Sequence, residues 1–209
     1  MIVKTLDESI IHDIGHAFGY YDYGPAEGGL VSLYSSQEAA SVYIQGYVRS
    51  MLKGGFLHTT SERGEGYIAY KLPGQKIGLK TALPLLKGVF QSMTLKEIFH
   101  FVSLAMKGGS SLDDRMNKEK KPHIYVGMVC VREEYQGQGY MRKVMDIAFA
   151  EGNRLQVPVV LDTDAKSKCD KYMHLGMELA GKRNFGRHGF LYDLVKYPDD
   201  PALSVQSSC

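Results

Sequence analysis

The chain has 209 residues with 25 Lys and Arg against 23 Asp and Glu, so its net charge is only +2. That length suits a single domain with its own core, and so small a charge gives no reason to expect nucleic acid or a membrane as partner. Three widely spaced cysteines, Cys130, Cys169 and Cys209, fit free thiols better than a disulfide framework or a zinc site. The start MIVKTLDESI lacks the pattern of a signal peptide and no run of 18 apolar residues occurs, so the cytoplasm is the expected location.

Met1–Leu6 reads as a short strand, and Asp7 as the cap of a helix reaching Phe18, with Ile10, Ile11, Ile14 and Phe18 at helical spacing. Gly19–Gly29, rich in tyrosine and glycine, reads as an irregular loop. A second helix is expected from Ser35, with Glu38 completing a capping box and Gly54–Gly55 ending it. Phe56–Thr60 and Tyr67–Leu72 flank a glycine-bearing turn and predict a hairpin. Leu79–Met106 predicts helix in two pieces, broken near Pro84 or Gly88, and Lys107–Lys121 a mobile surface loop.

The remainder alternates. Ile124–Val131 is a nearly continuous apolar run, as a buried strand requires. A tight turn at Gln136–Gly139 follows, then a helix over Tyr140–Leu155, a strand over Val157–Leu161 and a helix over Asp164–Leu175. Met177–Lys182 and Phe190–Tyr197 read as closing strands. The pattern predicts a mixed α/β (α+β) fold, mostly antiparallel, with one parallel crossover at residues 124–161. One domain is expected over residues 1–198, with 79–121 inserted as helices and loop and 199–209 as a frayed tail.

The turn carries the chemistry. A glycine pair after a buried strand and before a helix presents unbonded N–H groups at the positive end of a helix dipole, which suits phosphates. A dinucleotide fingerprint accounts for Gly137 and Gly139, with Asp162 as its acidic residue. Against it, Arg142 holds the third glycine position and Arg132–Gln136 separates the strand from the first glycine.

Gln136-Gly-Gln-Gly139, preceded by Val129–Tyr135, resembles instead the Q/R-x-x-G-x-G/A motif of the GNAT N-acetyltransferases. His123–Val131, Tyr135–Gly139, Leu161-Asp-Thr163 and Tyr172-Met-His-Leu-Gly-Met177 are similar to the branch that includes puromycin N-acetyltransferase. Met141, Lys168, Asp162, Met177 and Glu133 differ from that branch's usual residues. The resemblance implies transfer of an acyl group, expected to be acetyl, from an acyl-CoA to a primary amine of a small molecule, with no metal. It allows a homodimer. The departures at Met141 and Lys168 motivate an alternative, a member that binds acyl-CoA as a sensor or acts as an interaction module without turnover.

By the same resemblance, Met128, Val129, Cys130 and Val131 pair with the pantetheine arm through their backbone. Gln136, Gly137, Gln138, Gly139, Tyr140 and Met141 hold the phosphates, and Lys168 and Tyr172 complete the cofactor site. Tyr172 takes the place of the family's general acid, and Asp162 and His123 are candidate bases. Cys130 and Cys169 are expected to pack. The cluster Tyr20, Tyr21, Asp22, Tyr23 and Glu27 is expected to border the pocket for a cationic amine. His12-Asp-Ile-Gly-His16 looks like a helical zinc motif, but Asp replaces its glutamate and no third ligand is evident, so two ordinary helix histidines are expected.

Overall fold

The computed structural model describes residues 1–24 and 29–199; Glu27, Cys209 and the rest of the expected tail from residue 200 onward lie outside them. Among the described residues six strands form one sheet in the order β1-β2-β3-β4-β6-β5. They are β1 (Leu57–Thr59), β2 (Gly66–Lys71), β3 (Ile124–Val131), β4 (Val159–Thr163), β5 (Glu178–Asn184) and β6 (Phe190–Lys196). Among the described strands only β3 and β4 run parallel, with α6 (Tyr140–Leu155) crossing between them, as the alternation predicts.

Helices cover both faces. On one, Val144, Met145 and Ala148 of α6 and Cys169 and Tyr172 of α7 (Lys166–His174) pack on Ile68, Ile124, Val159 and Leu194. On the other, Ile11 and Ile14 of α1 (Glu8–Gly19) and Ile44, Val48 and Met51 of α2 (Gln37–Gly54) pack on Leu57, Tyr67, Ala69 and Met128. Burial of each such aliphatic side chain stabilises the fold by roughly 1.5–3 kcal/mol.

The structure departs from the sequence reading at five places. The expected first strand is a single bridge, Ile2 to His58, because β1 offers only three residues to pair with. The α2 cap is Ser36, one residue on, accepting from the Ala39 amide. Strand β4 starts only after Pro158, which has no N–H for a ladder. The inserted helices break at Met93–Thr94 rather than at Pro84 or Gly88. α3 (Leu79–Ser92) runs through both, since Gly88 is where it crosses Gly46 of α2, and a Cβ there would lie 3.0 Å from the Gly46 Cα. A full capping box, Thr94 with Glu97, then starts α4 (Leu95–Lys107). Finally, the expected loop contains α5 (Leu112–Lys118), nucleated by a second capping box of Ser111 and Asp114.

One irregularity shapes everything downstream. Ala69 of β2 pairs with Met128 but Tyr70 pairs with Val126, so Gly127 is the extra residue of a bulge. The Tyr47 hydroxyl lies 2.1 Å from where a Cβ on Gly127 would be, so any larger residue would have to displace the Tyr47 side chain. The bulge inverts the facing of the strand. Ile124 and Val126 join the core under α6 and α7, whereas Met128 and Cys130 join the core under α1 and α2, although simple alternation would put all four on one side.

Candidate functional site

Pairing of β3 with β4 stops at Val126 and Leu161, next to the bulge. Beyond it β4 stays paired with β6 as far as Thr163, while Gly127–Val131 has no β4 partner. The two parallel strands therefore part, and a cleft of about 830 Å³ opens in the fork. One of its walls is the free hydrogen-bonding edge of β3.

The strand leads into a short 3-10 turn, Glu133–Tyr135, and the glycine turn. Gly137 and Gly139 have φ of 72° and 78°, a region L side chains avoid, and among the described residues nothing beyond the chain neighbours lies within 4 Å of a Cβ built on either. Two side-chain amides brace the turn: Gln136 Nε2 donates to the Val131 carbonyl at 3.1 Å and Gln138 Nε2 to the Glu134 carbonyl at 2.8 Å. The first helical bond of α6 is from the Lys143 amide to the Gly139 carbonyl, which leaves the amides of the first turn without helical acceptors at the positive end of a 16-residue helix. The arrangement can hold an anion.

Of the expected cofactor residues, Met128, Val129, Cys130 and Val131 line the cleft from the strand. Gln136, Gly137, Gly139, Tyr140 and Met141 line it from the turn, and Lys168 and Tyr172 from α7. Gln138 does not line it; its side chain braces the loop. Met141 is half-buried and packs on the core under α6.

Asp162 lines the cleft just past the fork. Tyr125 donates its hydroxyl to Asp162 Oδ1 at 3.1 Å, and Arg183 Nη2 donates to Oδ2 at 3.2 Å. Burial raises its pKa above the usual carboxylate value, with Arg183 and Tyr125 opposing. Arg183 also holds the fully buried Asp193 at 2.9 Å. Asp162 and Asp193 face each other across β4 and β6, and the guanidinium between them offsets the repulsion of two carboxylates. Tyr172 is buried, and burial followed by the charge of Asp164 raises its hydroxyl pKa well above the ordinary value.

His123 does not line the cleft. Its Nε2 lies 2.7 Å from Asp113 Oδ1 and its Nδ1 2.8 Å from the Lys121 carbonyl. The Asp113 bond raises its pKa, and both ring nitrogens are engaged away from the cleft. It is set aside on that geometry. Cys130 and Cys169 are both buried, and burial pushes the Cys130 thiol up to about 12.

The far end of the cleft is aromatic and acidic. Lys168 Nζ donates to Asp164 Oδ1 at 2.9 Å and to the Tyr23 hydroxyl at 3.3 Å, and lies 4.1 Å from the Tyr21 ring centroid and 4.6 Å from that of Tyr23. Tyr21 lines the cleft; Tyr20 instead stacks on His16, and Asp22 bonds the Gly24 amide. His12 and His16 are one turn apart with ring centroids at 6.5 Å, and no group of three metal-ligating residues occurs among the described residues.

Residues 100–168 match the acetyltransferase (GNAT) family. Solved structures agree in fold over more than nine-tenths of the chain. A histone acetyltransferase HPA2 and related acetyltransferase from Corynebacterium glutamicum superposes with a TM-score of 0.61 at 14% identity, covering 96% of each chain. Arylalkylamine N-acetyltransferase 2 from Aedes aegypti gives 0.55 at 15% identity, covering 93% of this chain and 97% of that one. An N-acetyltransferase from Staphylococcus aureus Mu50 gives 0.55 at 14%, covering 94% and 100%. The chain has the fold of the GNAT superfamily. No curated protein matches its sequence. The matched GNAT segment contains β3, the glycine turn, α6 and β4, the elements that build the fork and its anion site.

Four residues of the cleft region escaped the sequence reading: Tyr47, Tyr125, Arg183 and Asp193. Asp193 is visible as a lone carboxylate in the apolar run Leu191–Val195, and Gly127 as a lone glycine in a buried strand. Arg183 lies in a polar edge strand and carries no such mark.

Proposed function

We propose that the protein transfers an acetyl group from acetyl-CoA to a primary amine of a small molecule. One observation supports this most: an unpaired strand edge runs from a fork between parallel strands directly into a turn of unbonded amides, all within one cleft. In this reading the Gly127–Val131 edge aligns the pantetheine arm and the amides of Gly137–Met141 hold the diphosphate. Acetyl-CoA supplies the activated thioester. The motif similarity to the puromycin N-acetyltransferase branch, and neighbours of the fold that include an arylalkylamine N-acetyltransferase, favour a small amine as acceptor.

A lysine-like amine, with a pKa near 10.4, pays about 4–5 kcal/mol to lose its proton at pH 7. In this reading Asp162, half-buried at the fork, takes that proton as the nitrogen attacks the carbonyl carbon. The carbon–sulfur bond then breaks, the Tyr172 hydroxyl, kept protonated by burial, gives its proton to the sulfur, and the remaining extra proton on the new amide nitrogen restores the phenol. A β3 amide facing the fork polarises the carbonyl.

A ligand at 100 times its Kd stabilises by roughly 2.7 kcal/mol, so acetyl-CoA is expected to raise the melting temperature and an amine panel to release thiol. Absence of both overturns the reading. Stabilisation without thiol release supports the acyl-CoA-binding alternative, which Lys168 favours because its own ammonium already sits among Tyr21, Tyr23 and Asp164.

A further inference from the structure

Helices α3 and α4 each turn a row of large apolar side chains to solvent: Leu79, Leu83, Leu86 and Phe90 on α3, and Leu95, Phe99, Val102 and Met106 on α4. Both rows follow the i, i+4, i+7, i+11 spacing of one helical stripe. Their exposure is large, 87% for Leu79, 66% for Phe90, 74% for Phe99 and 81% for Met106. Soluble monomers rarely present such patches without a use. The inner faces are already engaged, α3 against α2 through Gly88 and Gly46, and α4 through Ile98 and Phe101 against Tyr34 and Met93.

Charge indicates what covers these stripes. Between Leu72 and Leu112 the chain has five lysines and one acid, Glu97, a net +4 within a protein whose total is +2. Glu97 is taken up in the α4 cap. Lys80, Lys87 and Lys96 are exposed and each directly follows a stripe residue, about 100° further round its helix. Among the described residues none of the three is ion-paired. A second copy of the chain seated on this face would set lysine against lysine. An anionic lipid surface supplies the opposite charge, together with an apolar layer for the stripes; helices with lysines beside an apolar face lie in that interface, their aliphatic stems following the apolar residues inward.

We propose that α3 and α4 seat the protein on the surface of an anionic bilayer. The contact is peripheral, since no helix among the described residues is long and apolar enough to cross a membrane.

The test is co-sedimentation of the full chain with vesicles of phosphatidylglycerol and phosphatidylcholine, and with vesicles of phosphatidylcholine alone. The mixed vesicles are expected to hold on the order of tenfold more protein, and molar salt to release it. The triple variant K80Q/K87Q/K96Q is expected to bind the mixed vesicles about tenfold more weakly. F90S/F99S is expected to lose binding with an unchanged melting temperature and an unchanged acetyl-CoA shift. Equal partition on the two vesicle types, or none on either, overturns the proposal. So does a solution dimer that F90S/F99S disperses, which would assign the stripes to a second copy.

Discussion

Tyr125 gives its hydroxyl to Asp162 at 3.1 Å across the last turn of the ladder before β3 and β4 separate. The bond links the strand that bears the free edge to the carboxylate proposed as the base. Asp162→Asn keeps the shape and removes the base; turnover at pH 7 is expected to fall about 10²-fold or more with the acetyl-CoA thermal shift retained. Tyr125→Phe is expected to move the acid limb of the pH–rate profile upward, because the hydroxyl favours the charged carboxylate. An unmoved acid limb and full Asp162→Asn turnover would remove Asp162 from the mechanism.

The ammonium of Lys168 lies against Tyr21 and Asp164, so any cationic acceptor entering that end of the cleft meets a cation already in place. Cation–π contacts contribute about 0.5–2 kcal/mol. Lys168→Met is accordingly expected to lower KM for dicationic amines by roughly 2- to 30-fold while leaving monoamines nearly unchanged. Tyr21→Ala is expected to flatten the difference between the two classes. Identical amine profiles in wild type and both variants would show that this end does not contact the acceptor.

Gly139 adopts φ of 78° with open space where a Cβ would go. Gly139→Ala therefore reports backbone strain rather than a clash. A cost of about 1–2 kcal/mol is expected, which lowers the melting temperature by about 2–4 °C per kcal/mol at this chain length. KM for acetyl-CoA should rise on the order of tenfold if the strain relaxes by turning the amides away. A variant with the wild-type melting curve and KM would show that the left-handed turn is dispensable.

Strand β3, the glycine turn and α6 are legible in the sequence because each is written in local terms: an apolar run, a glycine pair, a helical stripe ending at Leu155. The fork is not, since it depends on Gly127 accommodating the Tyr47 hydroxyl from a different helix. The same applies to Arg183, which joins Asp162 to Asp193 through tertiary placement alone. The error at Pro84 and Gly88 has the reverse cause: strong local breakers were overridden by the packing of α3 along α2. In the loop before β3, Ser111-x-x-Asp114 was a capping signal obscured by the surrounding glycines and charges.

Tyr172 is a buried phenol whose pKa lies well above the ordinary value, so it remains a donor throughout the neutral range. Tyr172→Phe is expected to reduce kcat by about 10²-fold and to leave the acetyl-CoA thermal shift within error. The reduced rate should also depend on the thiol's own pKa, with a more acidic leaving thiol recovering activity. Unchanged kcat, or no recovery with the better leaving group, would remove Tyr172 as the proton donor.

His123 and Asp113 predict a pH dependence of stability separate from that of catalysis. The Asp113 bond, opposed by burial, holds the His123 pKa above 6.5. Its contribution is therefore fully present below about pH 6.5 and is lost as pH rises through the elevated folded value. Asp113 is held below 3.8, the His123 bond and Lys71 outweighing burial, so its contribution is present above about 3.8 and is lost on acidification through the folded value. The pair should thus stabilise the joint between α5 and β3 across the mildly acidic range and weaken towards pH 9. Asp113→Asn is expected to cost about 1–3 kcal/mol near pH 6 and much less at pH 9. Melting curves of wild type and variant that run parallel from pH 5 to pH 9 would refute the pairing, because a bond between neutral groups has no proton to lose in that window.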